Sequence, residues 1–155
     1  MRRVRLFAPE DVARLQEAID GVCAEGRMAT PRFQPTPAWR HALELPDCPC
    51  HLLLVAEEAG QILGWCRLFP VPGDGGRPAL ELGIGVRAER RRQGLGRALL
   101  AEALRWAGRQ GLPVVLETRR DNLPARRLFE RCGFRPVGEE GDRLKMYLPV
   151  QEESR

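Results

Sequence analysis

Apolar residues along the chain switch between a two-residue and a three-to-four-residue period, and the switches mark its elements. Arg3 to Phe7 reads as a short strand. Pro9 opens a helix to about Glu25, with Val12, Leu15, Ile19 and Val22 recurring on one face. Gly26 to Pro37 is irregular, and Ala38 to Leu45 is a short helix carrying Trp39. His51 to Glu57 and Gln61 to Phe69 are apolar runs around Glu58-Ala59-Gly60, a hairpin signal. A Gly- and Pro-rich loop, Pro70 to Pro78, leads into a strand from Leu80 to Val86. Leu95 to Gln110 has helical periodicity, with Leu95, Leu99, Ala103 and Trp106 on one face and Gly111 and Pro113 as its stop. Val114 to Thr118 is a strand, Pro124 to Cys132 a helix ended by Gly133, and Phe134 to Gly138 and Lys145 to Val150 are the last strands. Strands joined both by hairpins and by helical crossovers predict an α/β (or α+β) domain, a mixed twisted sheet of about six to seven strands with helices on both faces.

Between the Leu80–Val86 strand and the Leu95 helix lies Arg91-Arg92-Gln93-Gly94-Leu95-Gly96-Arg97. Strand, basic glycine-containing turn, helix is how a backbone builds an anion cradle. Glycine lets main-chain N–H groups approach an oxygen, and the helix N-terminus adds partial positive charge. The predicted ligand is a phosphate or pyrophosphate. A P-loop is excluded: the only lysine is Lys145. A dinucleotide-binding turn finds two glycines and an acid, Glu117, about 20 residues on. However, Leu99 stands at the third glycine position, and Arg87 to Arg91 separate the strand from any tight turn. The third reading is R-x-x-G-x-G, with Arg91, Gly94 and Gly96.

In that motif the chain resembles the GNAT superfamily of N-acetyltransferases, whose [Q/R]-x-x-G-x-[G/A] loop holds the pyrophosphate of acetyl-CoA. Asn122-Leu123-Pro124-Ala125-Arg126-Arg127-Leu128-Phe129-Glu130-Arg131-Cys132-Gly133-Phe134 is similar to the family's second signature, N-x-x-A-x-x-L-Y-x-x-x-G-F, with Phe129 in place of Tyr. Glu81-Leu82-Gly83-Ile84-Gly85-Val86 resembles its fourth strand. The resemblance runs from about residue 51 to 148. It implies one acetyltransferase domain over 1–155, with 1–50 as the acceptor-side strand and helices and 51–150 as the acetyl-CoA-binding core. The acetyl group would pass to a primary amine by direct attack.

Strand alternation puts Glu81, Gly83 and Gly85 on one face, bare except for a carboxylate. Such a trough suits the pantetheine arm, with main-chain groups near Ile84, Gly85 and Val86 as partners, an arrangement the resemblance also implies. Close packing of another element is the alternative reading of the glycines. Glu81 shares the bare face and is the candidate base, acting through water, since a reacting amine must lose its proton; a rim carboxylate that steers a cationic substrate or pairs with an arginine is the alternative. The resemblance implies contact of Asn122 with the cofactor arm, where a helix cap is the alternative. It implies a tyrosine acid for the leaving thiolate, a role the Phe129 ring cannot fill, although that ring can pack against cofactor. The cofactor contacts expected are therefore Ile84, Gly85, Val86, Arg91, Arg92, Gln93, Gly94, Leu95, Gly96, Arg97, Asn122 and Phe129. Absence of the tyrosine motivates a second reading, a CoA-binding regulatory module without catalysis. Gly94-Leu95-Gly96 with Glu117 motivates a third, a dinucleotide-dependent oxidoreductase. For Glu117 itself, an ion pair with neighbouring arginines is the simpler expectation.

Composition adds bounds. The net charge is +4, carried almost wholly by arginine and dispersed, with no nucleic-acid-reading motif. No 18-residue apolar run or signal peptide is present, so neither membrane nor secretion is expected and the predicted location is cytoplasmic. Acceptors open to such a chain are small-molecule amines and protein N-termini or lysines. A homodimer is a candidate assembly. Five cysteines without a secretion signal are expected as free thiols. Cys48-Pro49-Cys50-His51, with His41 and Cys66 as further donors, has C-x-C spacing in place of the usual zinc C-x-x-C, and no second knuckle follows. The expectation there is a loop leading into a strand, with no metal.

Overall fold

A computed structural model describes residues 2–26, 28 and 31–151. It contains seven strands and four α-helices in chain order: β1 (Arg3–Leu6), α1 (Val12–Cys23), α2 (Pro37–Glu44), β2 (Leu52–Glu58), β3 (Gln61–Pro72), β4 (Pro78–Val86), α3 (Leu95–Gln110), β5 (Val114–Arg119), α4 (Leu123–Arg131), β6 (Arg135–Glu140) and β7 (Arg143–Leu148). The strands form one sheet in the order β1-β2-β3-β4-β5-β7-β6. β1–β2, β2–β3, β5–β7 and β6–β7 pair antiparallel, and β4–β5 pair parallel. The predicted mixed α/β sheet is therefore observed. Contacts group the chain into two compact units, residues 1–69 with 83–103, and 70–82 with 104–155.

In the first unit, the β2–β3 hairpin turns at Ala59 and Gly60, with φ of 51° and 79°. Positive φ at both central residues matches the twist of the strands, and glycine supplies one of them. An irregularity after Ala56 pairs Ala56 with Gly64 but Glu57 with Ile62, leaving Leu63 as an extra residue. That bulge turns Ile62 and Trp65, three apart, toward the same core. Leu15, Ile19 and Val22 of α1, Trp39 and Ala42 of α2, and Leu53, Val55, Ile62, Trp65 and Phe69 of the strands make that core. The opposite face of β3 meets α3: a Cβ on Gly64 would lie 3.4 Å from Leu99 Cδ1 and 2.7 Å from the Gly85 carbonyl oxygen. Helices thus cover both faces of the sheet within this unit.

Asp11 precedes α1 and is fully buried. Arg5 donates to both of its oxygens at 2.7 and 2.9 Å, Arg14 donates at 2.6 Å, and the Ala8 N–H at 2.9 Å. The Arg5 hydrogen bonds hold the Asp11 carboxyl below the usual carboxylate range, against the opposing effect of burial.

In the second unit, Val114, Leu116 and Thr118 alternate inward and pair across to Leu148, Met146 and Leu144, all buried. Helix α4 ends as its sequence predicts. Gly133 takes φ of 101°, its N–H donates to the Glu130 carbonyl, and the Phe134 N–H donates to Phe129 O at 3.1 Å. Helix α3 buries Leu95, Leu99, Leu100, Ala103 and Ala107. Trp106, expected on that stripe, is only half-buried at its edge, because the stripe drifts toward the smaller Ala107.

Candidate functional site

Glycine and charge set the conformation of the basic turn. After β4, Ala88–Arg90 makes one 3-10 turn. Arg92 and Gly94 take φ of 64° and 82°, and the Gly94 carbonyl accepts the Ala98 N–H at 3.0 Å as α3 begins. A Cβ on Gly94 would touch nothing within 4 Å, so backbone conformation alone demands this glycine. Gly96 lies in the first turn of α3, whose leading N–H groups have no helical acceptor.

The arginines of this segment divide into two sets. Arg87 donates through Nε to Ile62 O at 2.8 Å, and Arg90 pairs with Glu58 at 2.5 Å. Arg91, expected on phosphate, donates through Nε to Val86 O at 3.0 Å and grips both oxygens of Glu25 at 2.5 and 2.8 Å. In this structure its exposed guanidinium pairs with the protein. The partner lies 66 residues away in sequence, beyond the reach of any local pattern. Arg92 and Arg97 are exposed, with no partner among the described residues. The Gln93 carbonyl accepts from Arg2 Nη1 at 2.9 Å.

The face carrying Gly83 and Gly85 is not an open trough. A Cβ on Gly85 would stand 2.2 Å from Trp65 Cη2, and one on Gly83 would stand 2.7 Å from Arg67 Nε. Trp65 is buried, and the Arg67 guanidinium lies 4.6 Å from the Phe69 ring centroid. The glycines make room for these two side chains of β3, so what Ile84, Gly85 and Val86 retain for a ligand is main chain. The aromatic contacts extend from Phe69 to Trp39 at 5.2 Å and on to Phe33 at 5.1 Å. Trp39 is thus a core residue.

In the second unit, Glu81 is half-buried on β4 and sits in the parallel ladder opposite Val115. Asn122 caps α4, its Oδ1 accepting the Ala125 N–H at 3.4 Å, which is the structural role weighed against cofactor contact. Phe129 is buried and packs edge-on against Phe134 with centroids 5.7 Å apart. Its ring belongs to the core. Glu117 pairs with Arg143 at 3.7 Å and Lys145 at 4.0 Å across β7. It forms the expected ion pair, but with cross-strand partners and not with the arginines beside it in sequence.

Near the start of β2, the first unit holds a cluster that spacing alone does not reveal. One ligand atom from each of His41, Cys48, Cys50 and His51 lies within 4.8 Å of the others. Cys66 is not among them. It is buried in β3, and burial pushes its thiol up to about 12. All five cysteines are free thiols.

The family model described as Acetyltransferase (GNAT) family matches residues 20–134. The chain belongs to the GNAT acetyltransferase family. A mycothiol acetyltransferase of Arthrobacter sp. (strain FB24) is 40% identical over 91 residues, 56% of this chain and 28% of that protein. The N-acetyltransferase family 8 member 3 of Rattus norvegicus is 39% identical over 88 residues, 55% of this chain and 39% of that protein. The chain therefore spans well under half the length of these relatives. Among solved structures, a Salmonella typhimurium acetyltransferase with its cofactor acetyl-CoA superposes with a TM-score of 0.81 at 23% identity, covering 100% of this chain and 97% of that one. A GCN5-related N-acetyltransferase from Kribbella flavida gives 0.77 at 25% identity, covering 96% and 98%. GNAT membership removes the dinucleotide reading of Gly94-Leu95-Gly96, and the cross-strand pairing of Glu117 removes the acid that reading needs.

Proposed function

We propose that this GNAT chain is an acetyl-CoA-dependent N-acetyltransferase acting on a primary amine, of a small molecule or of a protein N-terminus or lysine. The observation that carries the reading is the basic turn. Two arginines without partners among the described residues, Arg92 and Arg97, flank Gly94 at the opening of a 16-residue helix. Leading helix N–H groups and these two guanidiniums supply hydrogen bonds and charge for a pyrophosphate. Main-chain groups of Ile84, Gly85 and Val86 would pair with the pantetheine amides. The parallel ladder of β4 with β5 takes Leu80 and Glu81, and this role falls to the residues beyond them.

The residues then divide the chemistry. Glu81 accepts the proton of the acceptor amine, through water, as nitrogen attacks the acetyl carbon. The thioester C–S bond breaks and CoA departs as a thiolate that takes its proton from solvent. Phe129, buried and without a hydroxyl, supplies none. Asn122 caps α4 and Phe129 packs on Phe134 within the second unit.

Glu81→Gln tests the base. Turnover in an amine-panel assay of thiol release falls by roughly 10²-fold or more, acetyl-CoA affinity by calorimetry is unchanged, and the deficit shrinks at high pH, where more amine is already neutral. Near-wild-type turnover at neutral pH would remove Glu81 from the role, and a rise confined to acceptor KM would make it a substrate-binding residue. No thiol release with any amine, alongside normal acetyl-CoA binding, would leave a binding module.

A further inference from the structure

The acetyl-transfer reading makes no use of His41, Cys48, Cys50 and His51, yet the fold gathers them. His41 lies in the last turn of α2. The Leu45 N–H donates to His41 O at 2.8 Å, and the Cys48 N–H donates to Leu45 O at 3.0 Å. Leu45-Pro46-Asp47-Cys48 is thus a hydrogen-bonded reverse turn with proline at its second position, where the ring presets φ. It folds the cysteines back against the helix end that carries His41. Cys50 Sγ lies 3.4 Å from His41 Nε2, 3.5 Å from His51 Nδ1 and 2.8 Å from Cys48 Sγ. The imidazoles meet edge to face at 5.5 Å. His51 is buried, its Nε2 has no partner among the described residues, and its polar contact runs through Nδ1 to the thiol.

We propose that His41, Cys48, Cys50 and His51 form a closed tetrahedral Cys2His2 zinc site that ties the end of α2 to the start of β2. Bonds of about 2.0 Å to nitrogen and 2.3 Å to sulfur put the ligand atoms of a tetrahedron roughly 3.3–3.8 Å apart. The two nitrogen–sulfur distances to Cys50 already fall in that range, the sulfur pair must open by about 1 Å, and all four ligand atoms lie within 4.8 Å of one another before any ion draws them together. Two thiolates and two imidazoles, with no carboxylate in the set, suit zinc over magnesium, calcium or manganese. Four protein ligands leave no open position, so the ion is structural. Exposed Cys50 gives it a way in. The sequence hides the site because C-x-C supplies only half of it. The rest comes from a histidine one helix end away and from the residue after the second cysteine.

The test uses the full chain, reduced and stripped with chelator, then titrated with Co(II) and Zn(II). One Co(II) binds per chain with the visible bands of tetrahedral thiolate–imidazole coordination, and equimolar Zn(II) displaces it. Zinc at about a hundredfold over its Kd raises the melting temperature by roughly 5–10 °C. Cys48→Ser cuts the sulfur-to-cobalt charge-transfer intensity per bound Co(II) to about half, one thiolate of two remaining, and weakens binding. His41→Asn, checked for folding by circular dichroism, weakens zinc by more than the roughly 10–100-fold that loss of an outer-shell partner causes. Three results would each overturn the proposal: no stoichiometric Co(II) binding to the reduced chain, binding that both variants leave unchanged, or a Cys48–Cys50 disulfide that persists under mild reductant with zinc present.

Discussion

Replacing Gly85 with alanine puts a single methyl against the buried indole of Trp65. The new carbon would stand 2.2, 2.6 and 2.7 Å from Cη2, Cζ2 and Cζ3 of Trp65. Ordinary carbon contacts are about 3.5–4.0 Å, so the indole must retreat by more than 1 Å. It has nowhere to go: Trp65 is 2% exposed and belongs to the core between the strands and α1 and α2. A close-packed interior does not absorb such a shift, and the change should cost about 3 kcal/mol, the upper end for overpacking. For a chain of this size that lowers the melting temperature by roughly 6–12 °C. Trp65→Phe removes the outer ring atoms responsible and costs about 1–2 kcal/mol alone through the cavity it leaves. Together the two changes should cost about 2 kcal/mol less than their sum, because the methyl fills that cavity. Urea unfolding of the four proteins, with constant m-values, measures the cycle. Additivity, or a Gly85→Ala chain within about 0.5 kcal/mol of wild type, would refute the packing account. Acetyl-CoA affinity of the double variant then separates the two uses of Gly85. Recovery of stability without recovery of binding assigns the glycine to the cofactor as well.

The turn arginines predict opposite phenotypes. Arg92→Ala and Arg97→Ala should each raise the Kd for CoA about tenfold or more with little change in stability, while Arg91→Ala leaves Kd within a few-fold and costs about 1 kcal/mol, measured by calorimetry and urea unfolding. Asp11 gives a pH signature. Its folded pKa lies below the unfolded value of about 3.9, so the stability it contributes is complete above that value and is lost as pH falls through the folded pKa. Asp11→Asn should cost about 3 kcal/mol at pH 7 and flatten the acid limb of the stability profile, and an unchanged limb would show that other carboxylates set it.

What the sequence made legible was whatever rests on local rules. Gly133 ends α4, and Gly111 with Pro113 ends α3, because a left-handed residue is needed where each helix stops. The hairpin at Ala59-Gly60 and the turn at Gly94 follow from the same freedom. The two GNAT motifs lie within single segments and could be read as they stand. What escaped were pairings between segments. The pair of Arg91 with Glu25 spans 66 residues and leaves no local signal. Gly83 and Gly85 looked like a trough because a period-two pattern names the face of a strand and not the neighbour lying on it, here Trp65 and Arg67. The cap that Asn122 places on α4 and the packing of Phe129 on Phe134 are likewise contacts that the motif itself does not print. The His–Cys cluster has no ligand spacing along the chain; the reverse turn at Leu45–Cys48 brings its residues together in space.

The basic turn shows how one residue type performs two tasks within eleven positions. Arg87, Arg90 and Arg91 pair with Ile62, Glu58, Glu25 and Val86, and these contacts fix where the turn runs. They sustain Arg92 at φ of 64°, a conformation that costs a side-chain-bearing residue about 1–2 kcal/mol. A turn held this way has already lost the freedom that a flexible loop would lose on closing around a ligand, so less of the binding energy is spent on ordering it. Arg92 and Arg97, the pair without partners among the described residues, can then meet a pyrophosphate without first breaking ion pairs. The two sets of arginines thus differ in what they contact. A charge count treats the two sets alike, and only the contacts of each guanidinium tell them apart.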